Sequence, residues 1–557
     1  MSDRDGLRTL VVGLDGACLP VLEPLFEEGA LPNLERLVDE GVAGPLESQV
    51  PPWTPSAWPS LFTGVNPGKH GVFSFLDYDG YEWDVVDGTH VRSDALWELL
   101  SAHGYSSVVV NVPVTHPPGE FDGALVPGYM APESPRCHPS GLLDELCEAL
   151  GDYRVYPNSD GVSDAQAVSE YRTVTEMRGD AFRYLADRFD PDFGFVQFQQ
   201  TDTVFHEHPG ERGMVQAVYE AVDEQVGRIL ADCDPDTVLV VSDHGIGEYD
   251  GYGFYLNEFL AEHGYAAVSQ GGDGMPSWVP IRDGQLRDGD DSPDAAGLSK
   301  RLTALAARHG LTTHRAGKLL GAVGLRDLAA RVVPDHVVRA SSRQVDFAAS
   351  RAFVRARIEC GVRINLEGRE PEGVVPPERY ESLRTELVEL LQDVETPEGD
   401  PLFEDVARRE AYFDGPEAEK AVDVVTVPAD FDHFLSAELA GQTFAAPGQP
   451  WNHKRDGVVA AAGQGVGGTL EGAHIFDVTP TVLALFGLPK SIEMDGSVLS
   501  SVEASGERAY STRRARPRRE DDETERDPAR RNETKRRGTK TDDESIANRL
   551  TALGYLE

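Results

Sequence analysis

LRTLVVGLD (residues 7–15) is an apolar run with no polar alternation that closes on an acid. Alternation would mark a strand with one wet face; its absence marks a strand buried on both. Just downstream, LPNLERLVDEGV (31–42) carries Leu31, Leu34, Leu37 and Val38 at helical spacing. The same rhythm returns in strand-like YSSVVVNVPV (105–114), FGFVQFQQTD (193–202) and DTVLVVSDHG (236–245). Between the last three lie two helical stretches, DAQAVSEYRTVTEMRGDAFRYLADRF (164–189) and MVQAVYEAVDEQVGRIL (214–230). Unalternating strands separated by helices predict an α/β fold, a mostly parallel sheet with helices on both faces. In such sheets ligands bind outside the carboxyl ends of the strands, which singles out the acids closing these runs: Asp15, Asp202 and Asp243.

From about 270 the rhythm lapses, and LSKRLTALAARHGLTTHRAGKLLGAVGLRDLAARVV reads as helices, an insertion or cap over 266–345. The catalytic core is thus expected in two parts, 1–265 and 346–503. The second includes the strands SRAFVRA, CGVRINLEG and DGVVAAAG and the helices PERYESLRTELVELLQDV and DVTPTVLALFGLP. Residues 504–543 have almost no apolar content and dense mixed charge, the composition of a disordered linker. Residues 544–557 regain an apolar face and are expected to form a short helix. No internal repeat is present.

The chain has 557 residues, 40% of them hydrophobic, enough for a large core. Acids outnumber bases 95 to 51, a formal charge of −44, and arginine outnumbers lysine. This acidic coat resembles that of proteins from salt-loaded cytoplasm, where screening is short-ranged. It argues against a nucleic acid polymer as partner, because phosphate backbones need cationic patches. The five cysteines are scattered without CxxC spacing, which excludes a disulfide framework or thiolate zinc site. No run of eighteen apolar residues suggests a membrane span, so the cytoplasm is the expected compartment.

Four short stretches carry chemistry. In VPPWTPSAWPSLFTG (50–64), Thr54 before Pro55 fits a helix N-cap followed by proline at N1. The same position would set its hydroxyl at a helix N-terminus, which favours an anion such as phosphate. QTDTVFHEH (200–208) spaces Asp202 and His206 by four, placing carboxylate and imidazole on one helical face; His208 points elsewhere. VVSDHGIGE (240–248) ends a strand on Asp243 and His244, and QPWNHKRDGVVAAAG (449–463) holds His453 in a polar turn. Singly, each is also readable as a cap, turn or loop residue. Together they form an oxygen and nitrogen donor set suited to two divalent cations.

In order and spacing, VVGLDGACLPVLEPLFEEGALPNLERLVDEGV, TPSAWPSLFTGVNPGKHGVFSF, TDTVFH, VVSDHG, NHKRDGVV and DVTPTVLALFGLPKSIEMDG resemble the type I phosphodiesterase/nucleotide pyrophosphatase family of the alkaline phosphatase superfamily. The resemblance implies an alkaline-phosphatase-like α/β core and a metal-dependent hydrolase of phosphate esters acting on a small-molecule substrate. It implies Thr54 as nucleophile, one metal on Asp202, His206 and His453, and another on Asp15, Asp243 and His244, with Thr54 at the pair. Zinc is the family's usual metal, and manganese suits the same ligands. Threonine at position 54 lacks the formylglycine signature of sulfatases and the serine of mutases. A phosphomonoesterase of the same superfamily stays open, as does a catalytically idle metal-binding or interaction protein. Lys69 and His70 read as a solvated lysine and a loop-stabilising histidine, and Arg369 as a surface ion pair.

Overall fold

Eight strands form the central sheet of the computed structural model, which describes residues 6–514 except 160, 271–342, 357 and 358. They are Thr9–Leu14 (β1), Val42–Glu47 (β2), Ser107–Val110 (β3), Gly123–Val126 (β4), Phe193–Phe198 (β5), Thr237–Val241 (β6), Asp456–Gly463 (β7) and Ala473–His474 (β8). Their order is β8-β2-β7-β6-β1-β5-β3-β4. From β6 to β4 every neighbouring pair is parallel, and β7 runs antiparallel to both β6 and β2. The predicted α/β class holds, with β7 the reason the sheet is mostly and not wholly parallel.

All six residues of β1 are buried, and they divide between two cores. Leu10, Val12 and Leu14 pack with Leu34, with Tyr171 and Phe182 of the helix Asp164–Phe189, and with Val218 and Val222 of the helix Arg212–Cys233. Val11 faces the other layer, with Trp58, Leu61 and Phe62. Burial on both faces is why the strand runs without alternation. At Gly13 a side chain would collide with the Trp58 ring, 2.6 Å from the position of a Cβ.

A second, four-stranded antiparallel sheet orders Ala352–Phe353, Gly361–Ile364, Val424–Pro428 and Phe403–Arg408. The helix Pro377–Gln392 covers it with Leu383, Leu387 and Leu391. The expected second core segment thus supplies both this sheet and the last strands of the main one.

The ends of the expected insertion are joined, since Ala267–Gln270 pairs antiparallel with Arg343–Asp346; its expected helices lie outside the described residues. The charged stretch expected to be a linker from 504 is held on the core as far as Arg514. Glu507–Arg508 pairs with Lys490–Ser491, Arg513 bridges to Ser93, and Arg514 forms an ion pair with Glu98. The rest of that stretch and the expected helix at 544–557 lie outside the described residues. Among the described residues, no helix is long and apolar enough to cross a membrane.

Candidate active site

Thr54 opens the helix Thr54–Thr63 (α1), but Trp53 takes the N-cap position, one residue earlier than the sequence predicts. The Thr54 hydroxyl is therefore not at the cap position. Instead Oγ1 lies 3.1 Å from His244 Nε2 and 3.4 Å from Asp15 Oδ1, fully buried. Gly64 closes α1 in the left-handed region at φ 72°, as its lack of a Cβ permits.

Beneath α1 a buried hydrogen-bond circuit fixes the helix. Val72 N–H donates to His70 Nδ1 at 3.2 Å, which leaves the imidazole proton on Nε2, 2.8 Å from Ser60 Oγ. Ser60 donates to the Gln49 carbonyl oxygen, the Gln49 amide donates to Ser56, and Ser56 donates to the Val72 carbonyl, closing the loop. His70 is thus the loop stabiliser its sequence context predicts, and burial pushes its pKa down to about 3. Because the folded pKa lies below the ordinary 6.5, this contribution is complete above pH 6.5 and is lost as pH falls toward 3. Wild type should therefore lose about 1.4 kcal/mol per pH unit more than His70→Gln across that window, as read by urea unfolding.

The ends of the central strands converge on Thr54. Asp15 follows β1, Asp243 and His244 follow β6, and Asp202 and His206 sit one turn apart on the helix Gln200–Glu207 (α2) after β5. His453 arrives from the strand Trp451–Lys454, paired antiparallel with Gly245–Glu248 so that it lies opposite Ile246. Asp202, His206 and His453 bring three ligand atoms within 4.8 Å of one another, and so do Asp15, Asp243 and His244. In the first set His206 Nε2 is 3.1 Å from His453 Nε2 and 3.3 Å from Asp202 Oδ1. In the second His244 Nε2 is 3.5 Å from Asp15 Oδ1 and 3.3 Å from Asp243 Oδ2. The two sets adjoin, with the His244 and His453 rings stacked at 3.5 Å between centroids.

The donor chemistry fits cations. His244 Nδ1 donates to the Gly245 carbonyl at 2.9 Å and His453 Nδ1 to the Pro52 carbonyl at 2.8 Å, so each turns a lone pair on Nε2 inward. Both oxygens of Asp202 and Oδ2 of Asp243 are buried without a hydrogen bond. Burial, then Asp243 and Asp202, raises the Asp15 pKa well above the carboxylate range; burial and then Asp202 does the same to Asp243. Burial pushes His244 down to about 4, and burial followed by the neighbouring imidazoles lowers His453. Three carboxylates packed this closely, with three imidazoles beside them, keep their charge only if positive charge sits among them.

All seven residues singled out from the sequence therefore meet in one place. His208 does not, its Nδ1 lying 4.0 Å from Asp164 Oδ1. Lys69 is held by Asp495 and the Glu493 carbonyl, and Arg369 is no surface pair but part of a buried network around Asp423. Sequence reading missed Trp58 and Gln197, whose side chains both donate to Asp15 Oδ2 at 2.8 Å. The available signals were a tryptophan one helical turn after Thr54 and the one polar residue inside FGFVQF.

Residues 9–430 match the family described as type I phosphodiesterase/nucleotide pyrophosphatase, three quarters of the chain. The chain belongs to that family. This phosphodiesterase-family chain is accordingly an enzyme, a hydrolase of phosphate esters. No curated protein matches it in sequence. Its fold is similar to that of phosphonoacetate hydrolase from Sinorhizobium meliloti 1021, with TM-score 0.51, 15% identity, and 85% of this chain and 94% of that one covered. It is also similar to the alkaline phosphatase PafA, with TM-score 0.50, 13% identity, and 90% and 100% of the two chains covered. Both likenesses place the family member's core in the alkaline phosphatase fold.

Proposed function

We propose that this chain hydrolyses small phosphate diesters with Thr54 as nucleophile and two divalent cations. One would be held by Asp202, His206 and His453, the other by Asp15, Asp243 and His244. The observation that carries the reading is the Thr54 hydroxyl 3.1 Å from His244 Nε2, beside two adjoining sets of buried ligand atoms. Zinc suits the mixed carboxylate and imidazole ligands, with manganese next. Bound there, the cations supply positive charge that acidifies a nearby hydroxyl and offsets the charge of phosphoryl oxygens. The N-terminus of α1 adds its own partial positive charge where an anionic phosphoryl group would lie. Thr54 Oγ1 gives up its proton and bonds to phosphorus as the bond from phosphorus to one ester oxygen breaks, that oxygen leaving as the alcohol. Water then cleaves the threonine–phosphoryl ester, releasing the phosphate monoester and restoring the hydroxyl. Burial of Asp15, Thr54 and Asp243 excludes bulk water from the first step.

The test compares bis-p-nitrophenyl phosphate with p-nitrophenyl phosphate, in high salt to suit the acidic coat. Dialysis against a chelator should abolish diester turnover, and zinc or manganese should restore it. Turnover that survives complete metal removal would sink the two-cation reading. Turnover of the monoester alone would make the protein a phosphomonoesterase on the same fold.

A further inference from the structure

We infer that Trp58 and Gln197 are positioning residues that turn Asp15 toward the cation site, so that the helix carrying the nucleophile also aims a ligand. This rests on the two-cation reading above. Trp58 lies four residues after Thr54, one turn along the same helix, and is fully buried. Its indole N–H donates to Asp15 Oδ2 at 2.8 Å, and the Gln197 side-chain amide donates to the same oxygen at 2.8 Å. Oδ1 is the oxygen left facing Thr54 and His244.

The amide of Gln197 is itself oriented. Asn111 Nδ2 donates to Gln197 Oε1 at 2.7 Å and to its backbone carbonyl at 3.0 Å. That bond obliges the Gln197 oxygen to face Asn111 and turns its amide nitrogen toward Asp15, with Gln199 Oε1 accepting the second N–H at 3.1 Å. Asn111 reaches it from the end of β3 in the left-handed region at φ 65°, a conformation asparagine tolerates. The indole reaches Asp15 across β1 only because residue 13 is glycine, where a Cβ would lie 2.6 Å from the Trp58 ring and 3.2 Å from Gln197 Cγ. Two neutral donors on one oxygen leave the other as a single, fixed ligand atom, the arrangement by which outer partners tune metal affinity.

The test is equilibrium zinc binding by the full chain, in competition with a chromophoric chelator, for wild type, Trp58→Phe and Gln197→Met. Wild type should bind two zinc ions. Each variant should bind one of them about 10- to 100-fold more weakly and the other unchanged. Excess zinc should restore turnover to both variants but not to Thr54→Ala. Two unchanged affinities in either folded variant would overturn the inference while leaving the two-cation reading intact. Equal weakening of both sites would also overturn it, by showing a general structural effect. Fewer than two zinc ions in wild type would overturn that reading and the inference with it. Should Trp58→Phe fail to fold, Gln197→Met, which keeps the side-chain length and removes only the amide, decides the matter.

Discussion

Replacing Thr54 with alanine should lower diester turnover by roughly 10³- to 10⁶-fold, the range seen when a covalent nucleophile is removed. The same change should leave the fold standing. Had Thr54 been the N-cap of α1, its loss would cost about 0.5–2 kcal/mol of stability and act on activity only through unfolding. Trp53 holds the cap position, one residue before Thr54, so that route is closed to Thr54. Its hydroxyl is spent instead on His244 and Asp15. The prediction therefore pairs steady-state turnover with thermal unfolding: activity falls by orders of magnitude and the melting temperature moves little. Thr54→Ser keeps the hydroxyl and should keep a measurable fraction of the rate. A Thr54→Ala protein that turns over diester within tenfold of wild type would remove threonine from the chemistry.

How much of this site was legible in the sequence depends on the range of each contact. Asp15 and Asp243 closed apolar runs, and the pairing of β1 with β6 puts two such closing residues side by side. Asp202 and His206 were readable as a pair because helical spacing is local, and α2 begins where that spacing requires. His453 was readable on its own only as a polar-turn histidine, a weak candidate that the other ligands strengthened. What brings it in is an antiparallel pairing between Trp451–Lys454 and Gly245–Glu248, a long-range event that no local pattern encodes. Trp58 and Gln197 escaped for a related reason. An indole on a helix and an amide in a strand look like core residues until β1 and β5 align Gly13 with Gln197 and open room for the ring. Of the four-stranded sheet, the strands around Ala352–Phe353 and Gly361–Ile364 were legible but not the other two, and the order that joins Gly361–Ile364 to Val424–Pro428 across a whole helix is not a local pattern.

That sheet carries the largest expected stability effect. Asp423, fully buried, accepts from Ile364 N–H at 2.7 Å, from Arg369 Nη1 and Nη2 at 2.7 and 2.6 Å, and from the Tyr380 hydroxyl at 2.6 Å. Arg409 Nη1 adds a longer bond at 3.3 Å. Burial alone would raise the Asp423 pKa, but the Arg369 bonds and charge, with Arg363 and Tyr380, outweigh it and hold the carboxyl well below its ordinary 3.8. The folded pKa is the lower one, so this stabilisation is present above pH 3.8 and fades as pH falls below it. Asp423→Ala removes the anion between Arg369 and Arg409 and leaves Glu370, 2.8 Å from Arg363 and 2.9 Å from Arg369, as the one buried carboxylate beside three guanidinium groups among the described residues. Breaking such a pair from one side should cost about 3–5 kcal/mol, read as a lower urea midpoint at pH 7. Arg369→Met should cost less, because Arg409 and the Ile364 and Tyr380 donors still hold the carboxylate. The informative variant is the double one, Asp423→Leu with Arg369→Met, which removes both charges at similar volume. It should be more stable than Asp423→Ala, since the penalty lies in the stranded charge more than in the lost attraction. A double variant as unstable as the single would mean that the network is valuable for its geometry, tying the helix Pro377–Gln392 to the sheet through Tyr380, and not for its charge.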